Sequence, residues 1–304
     1  MDNKIFNILS EIIPTGDILL NEPMSRHTTF RIGGNADVLV KATSVAQLQK
    51  LLGLLKKENL PFYVIGKGSN LLVSDKGYRG IIIQLDDAFD EVEVSECTLI
   101  AKAGASMAKV AKVALQHNLT GFEFAAGIPG TLGGGVIMNA GAYGGEMKDV
   151  VAKVRYLDAD GELKEADREK MHFGYRYSAL KNHPEYIVVE VEIMLKPGNR
   201  DDIAGCMQEL ARRRREKQPL EYPSAGSTFK RPEGYFAGKL IQDAGLSGYT
   251  VGGAMVSPKH NGFVINAKDA TAADVKQLID DVQKTVFEEF SVKMEPEVIF
   301  LGEF

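Results

Sequence analysis

The sequence predicts an α+β protein with more than one domain. Three observations carry that expectation. Strand and helix patterns alternate through residues 1–85, a period-two strand pattern marks Ile187 to Lys196, and a capped amphipathic helix lies near the end. The 304-residue length favours two or three compact domains over one.

Met1 to Ile13 is a short amphipathic stretch with charges at Asp2, Lys4 and Glu11. It lacks the basic start and unbroken apolar core of a secretory leader. Val38 to Lys41 reads as a strand. Ser44 is placed to cap a helix, with Gln47 completing a capping box, and Val45, Leu48, Leu51, Leu52 and Leu55 fall at helical spacing. Phe62 to Ile65 is a second strand and Ile81 to Leu85 a third. Thr98 to Ala103 is a strand, and Val110, Ala111, Val113, Ala114 and Leu115 predict a helix ending near Asn118.

From Gly127 to Gly145 the chain carries eight glycines in nineteen residues, a density expected to exclude helix and strand and to leave an ordered loop. In the Ile187 to Lys196 stretch, Ile187, Val189, Val191, Ile193 and Leu195 alternate with Glu190, Glu192 and Lys196, as in a half-exposed antiparallel strand. A helix follows near Asp201 to Lys217, then a loop rich in Gly, Pro and Ser from Pro219 to Gly238. Thr271 caps a long helix from Ala272 to Phe290, and Val298 to Leu301 forms a closing strand. The expected segments are 1–85, 86–200 and 201–304.

The net charge of -5 argues against a nucleic-acid footprint. Cys97 and Cys206 stand far apart without a partner motif, which fits a reducing cytosol. No apolar run is long enough to span a bilayer. A cytoplasmic monomer acting on small molecules is expected, with no nucleic-acid or membrane partner and no metal.

Two stretches are suited to anions. Gly66-Lys67-Gly68-Ser69-Asn70 follows a buried strand, so its backbone N–H groups can approach a diphosphate closely, with Ser69 and Asn70 adding donors. Alone, it reads first as a plain strand-ending turn. The second stretch runs from Ala125 through Gly127, Ile128, Pro129, Gly130, Thr131, Gly133 and Gly134 to Asn139, Gly141, Ala142 and Tyr143. Its apolar Ile128, Leu132, Val136 and Ile137 separate it from a polar linker. Neither a G-x-G-x-x-G fingerprint opening a helix nor a Walker A loop is present.

In this order the two stretches resemble the FAD-binding module of the vanillyl-alcohol-oxidase and p-cresol-methylhydroxylase class. Further stretches narrow the resemblance. They are His27-Thr28-Thr29-Phe30-Arg31-Ile32-Gly33-Gly34, Phe173-Gly174-Tyr175-Arg176-Tyr177-Ser178, Ala225-Gly226-Ser227-Thr228-Phe229-Lys230 and Glu295-Pro296-Glu297-Val298. Together they resemble the UDP-N-acetylenolpyruvoylglucosamine reductase (MurB) family along nearly the whole chain. The short segment from Tyr177 to Tyr222 is similar to the family type that lacks an extra tyrosine-bearing loop.

The resemblance implies a two-subdomain FAD-binding module, 1–85 and 86–200, followed by a C-terminal α+β substrate-binding domain, 201–304. It implies FAD bound non-covalently, because His27, His117, His172, His183 and His260 all lie outside the two loops. It implies NADPH as co-substrate and a UDP-sugar enolpyruvyl ether as substrate, reduced to UDP-N-acetylmuramate. Gly66, Lys67, Gly68, Ser69, Asn70, Leu71, Gly127, Ile128, Pro129, Gly130, Thr131, Gly133, Gly134, Asn139, Gly141 and Ala142 are the implied cofactor contacts. Tyr143, Tyr175, Lys217 and Lys230 are implied for substrate, and Asn139 is open to either ligand.

Three residues match the family's catalytic set. Ser227 matches the proton donor, on what reads as a small exposed turn. Arg176 matches the residue facing the substrate carboxylate, where a planar permanent cation pairs well. Glu297 matches the third. It either orients Arg176 and the donor network or, if protonated, donates a hydrogen bond itself. Pro296 is expected to turn it away from its neighbour Glu295. Arg212 to Arg215 read as a mostly solvated helix face.

Overall fold

The computed structural model describes residues 3–304, with side chains from residue 5 onward, so Met1, Asp2 and the Lys4 side chain of the N-terminal stretch lie outside the described residues. The helices are α1 (Asn3–Ser10), α2 (Val45–Lys57), α3 (Met107–Gln116), α4 (Leu132–Ile137), α5 (Arg200–Lys217), α6 (Ala237–Asp243) and α7 (Ala272–Phe290). The chain divides into two compact units. The first comprises 1–20, 38–67 and 80–214, and the second 21–37, 68–79 and 215–304.

In the first unit, Phe62–Ile65 pairs parallel with residues 81–84, Phe62 standing opposite Ile81. In the chain, α2 lies between the strand Asn35–Lys41 and Phe62–Ile65. Ser44 accepts a hydrogen bond from the Gln47 N–H and so caps α2. The second half of the expected box differs: the Gln47 side chain accepts from Thr43 N–H, one residue earlier.

A second sheet of the first unit is antiparallel throughout, in the order Leu163–Asp167, Val151–Leu157, Ile187–Met194, Thr98–Lys102, Val92–Ser95. Ile187, Val189, Val191 and Ile193 are buried and Met194 is exposed, so the alternation read from the sequence marks a strand covered chiefly on one face.

The glycine-rich segment corrects the expectation that it excludes regular structure. Leu132-Gly133-Gly134-Gly135-Val136-Ile137 is helical, and Gly141–Ala142 pairs with Gly145–Glu146 as a hairpin. Packing overrides propensity here. A Cβ on Gly133 would stand 2.9 Å from the Ala103 Cβ, and one on Gly135 would stand 3.1 Å from Met107 Sδ. The glycines let this short helix press against its neighbours while Leu132 and Val136 are buried in the same core, so their conformational cost is offset by close contact.

The second unit has its own core, built on Phe30, Leu72, Phe229 and the inward face of α7, Val275, Leu278, Ile279, Val282 and Val286. Thr271 caps α7 and Asp274 closes the box. The Asp75 carboxylate accepts from both Ala272 and Ala273 N–H, which also complements the positive end of the helix. The expected loop from Pro219 to Gly238 contains a strand, Ser224–Ser227, in a sheet with Phe263–Asn266, Ala254–Val256 and Thr250–Val251, and it ends as α6 begins. Leu71–Val73 runs parallel to Ile299–Leu301, Leu71 opposite Ile299.

Among the described residues, no helix is long and apolar enough to cross a membrane, and no group of His, Cys, Asp or Glu is arranged to hold a metal ion.

Candidate active site

The first glycine loop passes from the first unit into the second after Lys67. Gly66 lies against Thr131, where a Cβ would come 2.2 Å from Thr131 Oγ1. Thr131 itself is buried and bridges to Ser106 in extended backbone. The two glycine stretches therefore meet side by side at Gly66 and Thr131, within the first unit. Lys67 is ion-paired with Asp87 at 3.0 Å. In the second unit Gly68 takes φ +59 and packs so tightly that a Cβ would lie 2.1 Å from the His27 carbonyl oxygen. Asn70 donates from Nδ2 to the Glu297 carbonyl at 3.0 Å, and its own carbonyl accepts from Ile299 N–H at 3.0 Å. Leu71 is a buried strand residue.

Ser227 is not on an exposed turn. It closes the strand Ser224–Ser227 opposite Phe263 and is half-buried. Ser224 faces Ile265, so the interval to Ser227 holds one residue more than its partner interval. Gly226, at φ +77, sits within this bulge. An extra residue resets which way the following side chain points.

Thr228, next in line, accepts the Glu297 N–H at 2.8 Å, and Phe229 bridges Pro296. Ser227, Glu297 and Asn70 are thus brought onto neighbouring segments of the second unit. Glu295 is exposed and ion-paired with Lys230, whereas Glu297 is half-buried. Lys217 is exposed at the end of α5.

His260 lies beside this strand pair, since Thr228 N–H donates to the Gly262 carbonyl and His260 Nδ1 accepts the Gly262 N–H at 3.2 Å. Burial pushes the imidazole below its usual value. Its folded pKa is therefore below the unfolded value of about 6.5. The related stability is complete above that pH and is lost as pH falls toward the folded value, because the unfolded chain then binds more protons. The urea midpoint is expected to drop between about pH 7.5 and pH 5.5, and His260→Gln is expected to flatten that drop. An identical slope in the variant would contradict the assignment.

Arg176 lies in the first unit, in the turn Gly174 to Tyr177. It adopts φ +52, and its guanidinium sits 5.2 Å from the centre of the Tyr175 ring, which is itself exposed. Tyr143 takes φ +53 and Gly144 φ +92 at the tip of the hairpin Gly141–Glu146. Both central residues on the positive side define the tight turn that matches strand twist. A left-handed Arg or Tyr costs roughly 1–2 kcal/mol, a strain that clusters at functional positions.

Asn139 corrects an expectation. Its side chain is 1% exposed. Both amide protons are committed, to Glu146 Oε2 and to the Gly174 carbonyl, each at 2.9 Å. The side chain therefore holds protein and has no proton left for a ligand.

Arg214 was missed. In the run Arg212 to Arg215, Arg212 and Arg213 both bond Glu209 on the solvated face, with N–O distances of 2.8 and 2.7 Å. Arg214 turns inward instead, against the second glycine stretch, where a Cβ on Gly127 would stand 3.3 Å from its Cδ and Nη1. Burial pulls its pKa down and Tyr143 acts to raise it. A break in the exposure of a basic run was the only available signal, and composition does not show it.

Residues 36–167 match the family model of an FAD binding domain, and residues 218–301 match that of the UDP-N-acetylenolpyruvoylglucosamine reductase C-terminal domain. The UDP-N-acetylenolpyruvoylglucosamine reductase of Caldanaerobacter subterraneus subsp. tengcongensis is 54% identical over 295 residues, 97% of each chain. The chain belongs to the UDP-N-acetylenolpyruvoylglucosamine reductase (MurB) family.

The crystal structure of MurB from Thermus caldophilus aligns with a TM-score of 0.79 at 34% identity, covering 94% of this chain and 98% of that one. p-Cresol methylhydroxylase with substrate bound shares the fold alone, with a TM-score of 0.50 at 14% identity over 97% of this chain and 66% of the other. The fold class read from the sequence stands. The chain is an oxidoreductase flavoenzyme of the MurB family, with FAD as its cofactor.

The residues present fit that cofactor. In the first unit a Cβ on Gly66 would stand 2.2 Å from Thr131 Oγ1 and one on Gly133 2.9 Å from the Ala103 Cβ, so neither position has room for a side chain. A cation, Arg214, is held partly buried against Gly127. An inward guanidinium beside a glycine-rich stretch suits a diphosphate.

Proposed function

We propose that this protein reduces UDP-N-acetyl-3-O-(1-carboxyvinyl)glucosamine to UDP-N-acetylmuramate with NADPH, in the cytoplasmic supply of peptidoglycan precursors. The observation that carries this reading is the pairing, on adjoining segments, of a bulge-aimed Ser227 with a half-buried Glu297 in a chain of this family. In this reading, segments 1–85 and 86–200 form the two cofactor subdomains and 201–304 the substrate domain.

Gly66, Lys67, Gly68, Ser69, Asn70 and Leu71 would hold FAD together with Gly127, Ile128, Pro129, Gly130, Thr131, Gly133, Gly134, Gly141 and Ala142, and Arg214 joins this set. When bound, FAD supplies the hydride chemistry that links oxidation of NADPH to reduction of the enol ether. Arg176 pairs with the substrate carboxylate and keeps it ionised as negative charge builds on it. The Ser227 hydroxyl holds the proton delivered to the carbon that bears that carboxylate. A serine hydroxyl is too weak an acid to give up this proton unaided, so polar neighbours must share the charge left behind. Glu297, whose own N–H is bonded to the Thr228 carbonyl, serves that network. Tyr143, Tyr175, Lys217 and Lys230 are assigned to the substrate, with Lys230 leaving Glu295 to do so.

The test is spectroscopic. The purified protein is expected to be yellow, to bleach on adding NADPH without oxygen, and to regain its colour on adding the enolpyruvyl sugar. Colour that returns only with oxygen would favour an oxidase of the same fold. A protein that does not bleach with NADPH would refute the assigned donor.

A further inference from the structure

Asn139 joins two functional stretches of the first unit. One amide proton goes to Glu146 and the other to the Gly174 carbonyl, while the amide oxygen accepts Lys148 N–H at 2.9 Å. The orientation follows from its partners, because a flipped amide would point its oxygen at two acceptors. Glu146 is the fixed end of this tether. It is held by Lys148 at 2.8 Å, and its N–H is bonded to Asp149. Lys148, then Asn139, with Arg176 contributing at longer range, keep the Glu146 carboxyl below its usual range and hence ionised at neutral pH.

Gly174 is the first residue of the turn that carries Arg176. Gly174 N–H donates to the Tyr177 carbonyl at 3.0 Å and Tyr177 N–H returns the bond at 3.2 Å. Between them Arg176 is held in left-handed backbone, a state that persists only when its surroundings impose it. Three side-chain tethers do so. Asn139 holds the Gly174 carbonyl, Lys181 Nζ holds the Arg176 carbonyl at 2.9 Å, and the buried Ser178 hydroxyl donates to the Ile137 carbonyl at 2.8 Å. Two of the three therefore run to the glycine-rich segment, at Ile137 and Asn139.

We propose that Asn139 is a positioning residue: it ties the Arg176 turn to the glycine-rich segment and so fixes where the guanidinium meets the substrate carboxylate. This rests on the reading of Arg176 as the carboxylate partner. Asn139 acts through backbone, so Arg176 keeps its charge without it and loses only its placement.

The experiment uses full-length holoenzyme and follows flavin absorbance in a stopped-flow instrument, one half-reaction at a time. The variants are Asn139→Asp, Asn139→Ala, Arg176→Ala and the Asn139→Ala/Arg176→Ala pair. Aspartate keeps the shape and the acceptor for Lys148 but removes both donors. Both single Asn139 variants are expected to retain FAD and its reduction by NADPH within about twofold, while the half-saturating concentration of enolpyruvyl sugar for reoxidation rises about ten- to a hundredfold. The double variant is expected to lose no more than Arg176→Ala alone, since a residue acting through another adds nothing once that one is gone. Unchanged reoxidation in the Asn139 variants, additive losses in the pair, or failure to hold FAD would each overturn the positioning role. If Arg176→Ala itself reoxidises normally, the carboxylate reading falls, and the inference built on it falls too.

Discussion

Ser227→Ala is expected to bind FAD and oxidise NADPH at the parent rate, while reoxidation by the enolpyruvyl sugar slows by about 10²- to 10⁴-fold, the usual worth of a positioned proton donor. The asymmetry follows from the chemistry. Hydride transfer from NADPH needs no proton from the protein at this position, whereas saturation of the enol ether does. The structure adds a reason for a clean result. Ser227 ends its strand at a half-buried site, and its neighbour Thr228 carries the buried hydrogen bonds, donating its N–H to the Gly262 carbonyl and accepting the Glu297 N–H. Those Thr228 backbone bonds do not involve the Ser227 hydroxyl and stay in place when it is lost. Single-turnover absorbance traces separate the two halves. Equal losses in both would make Ser227 a folding residue, and no loss in either would remove it from the reaction.

Gly68→Ala is expected to destabilise the protein by about 2–5 kcal/mol and to release FAD on gel filtration. Two costs add. An L-residue at φ +59 is strained by roughly 1–2 kcal/mol. The new Cβ would also lie 2.1 Å from the His27 carbonyl oxygen and 2.9 Å from Thr28 Cα. Both are backbone atoms that cannot swing aside, and overpacking of this sort costs about 1–3 kcal/mol. Gly144→Ala is the control. It shares a positive φ, +92, but nothing lies within 4 Å of its Cβ position. It is expected to show only a small fall in melting temperature and to stay yellow. If Gly68→Ala melts and retains flavin like that control, the loop does not have the crowded geometry described here.

Much of the fold was legible because its determinants are local. The α7 cap at Thr271, the spacing of Val275, Leu278, Ile279, Val282 and Val286, and the alternation through Val191 and Ile193 depend on neighbours in sequence. The glycine-rich helix was not legible. What stabilises α4 is the close approach of Ala103 and Met107, residues from other elements, and no propensity scale contains them. The strand under Ser227 was hidden for a related reason. Ser224-Ala225-Gly226-Ser227 is a poor strand by composition and is held by pairing with Phe263–Asn266. Asn139 illustrates the limit for site residues. A polar side chain in a glycine-rich stretch reads as a ligand contact, and only the folded chain shows its protons already shared between Glu146 and Gly174.

The parallel pairing of Leu71–Val73 with Ile299–Leu301 bears on biosynthesis. Translation delivers residue 71 long before residue 299, so the strand that anchors the far side of the first glycine loop must wait for its partner. Such long-range closure is slow, and a nascent chain on the ribosome has the loop sequence without its finished shape. Flavin capture should accordingly be a late event, and a truncated translation product would emerge colourless.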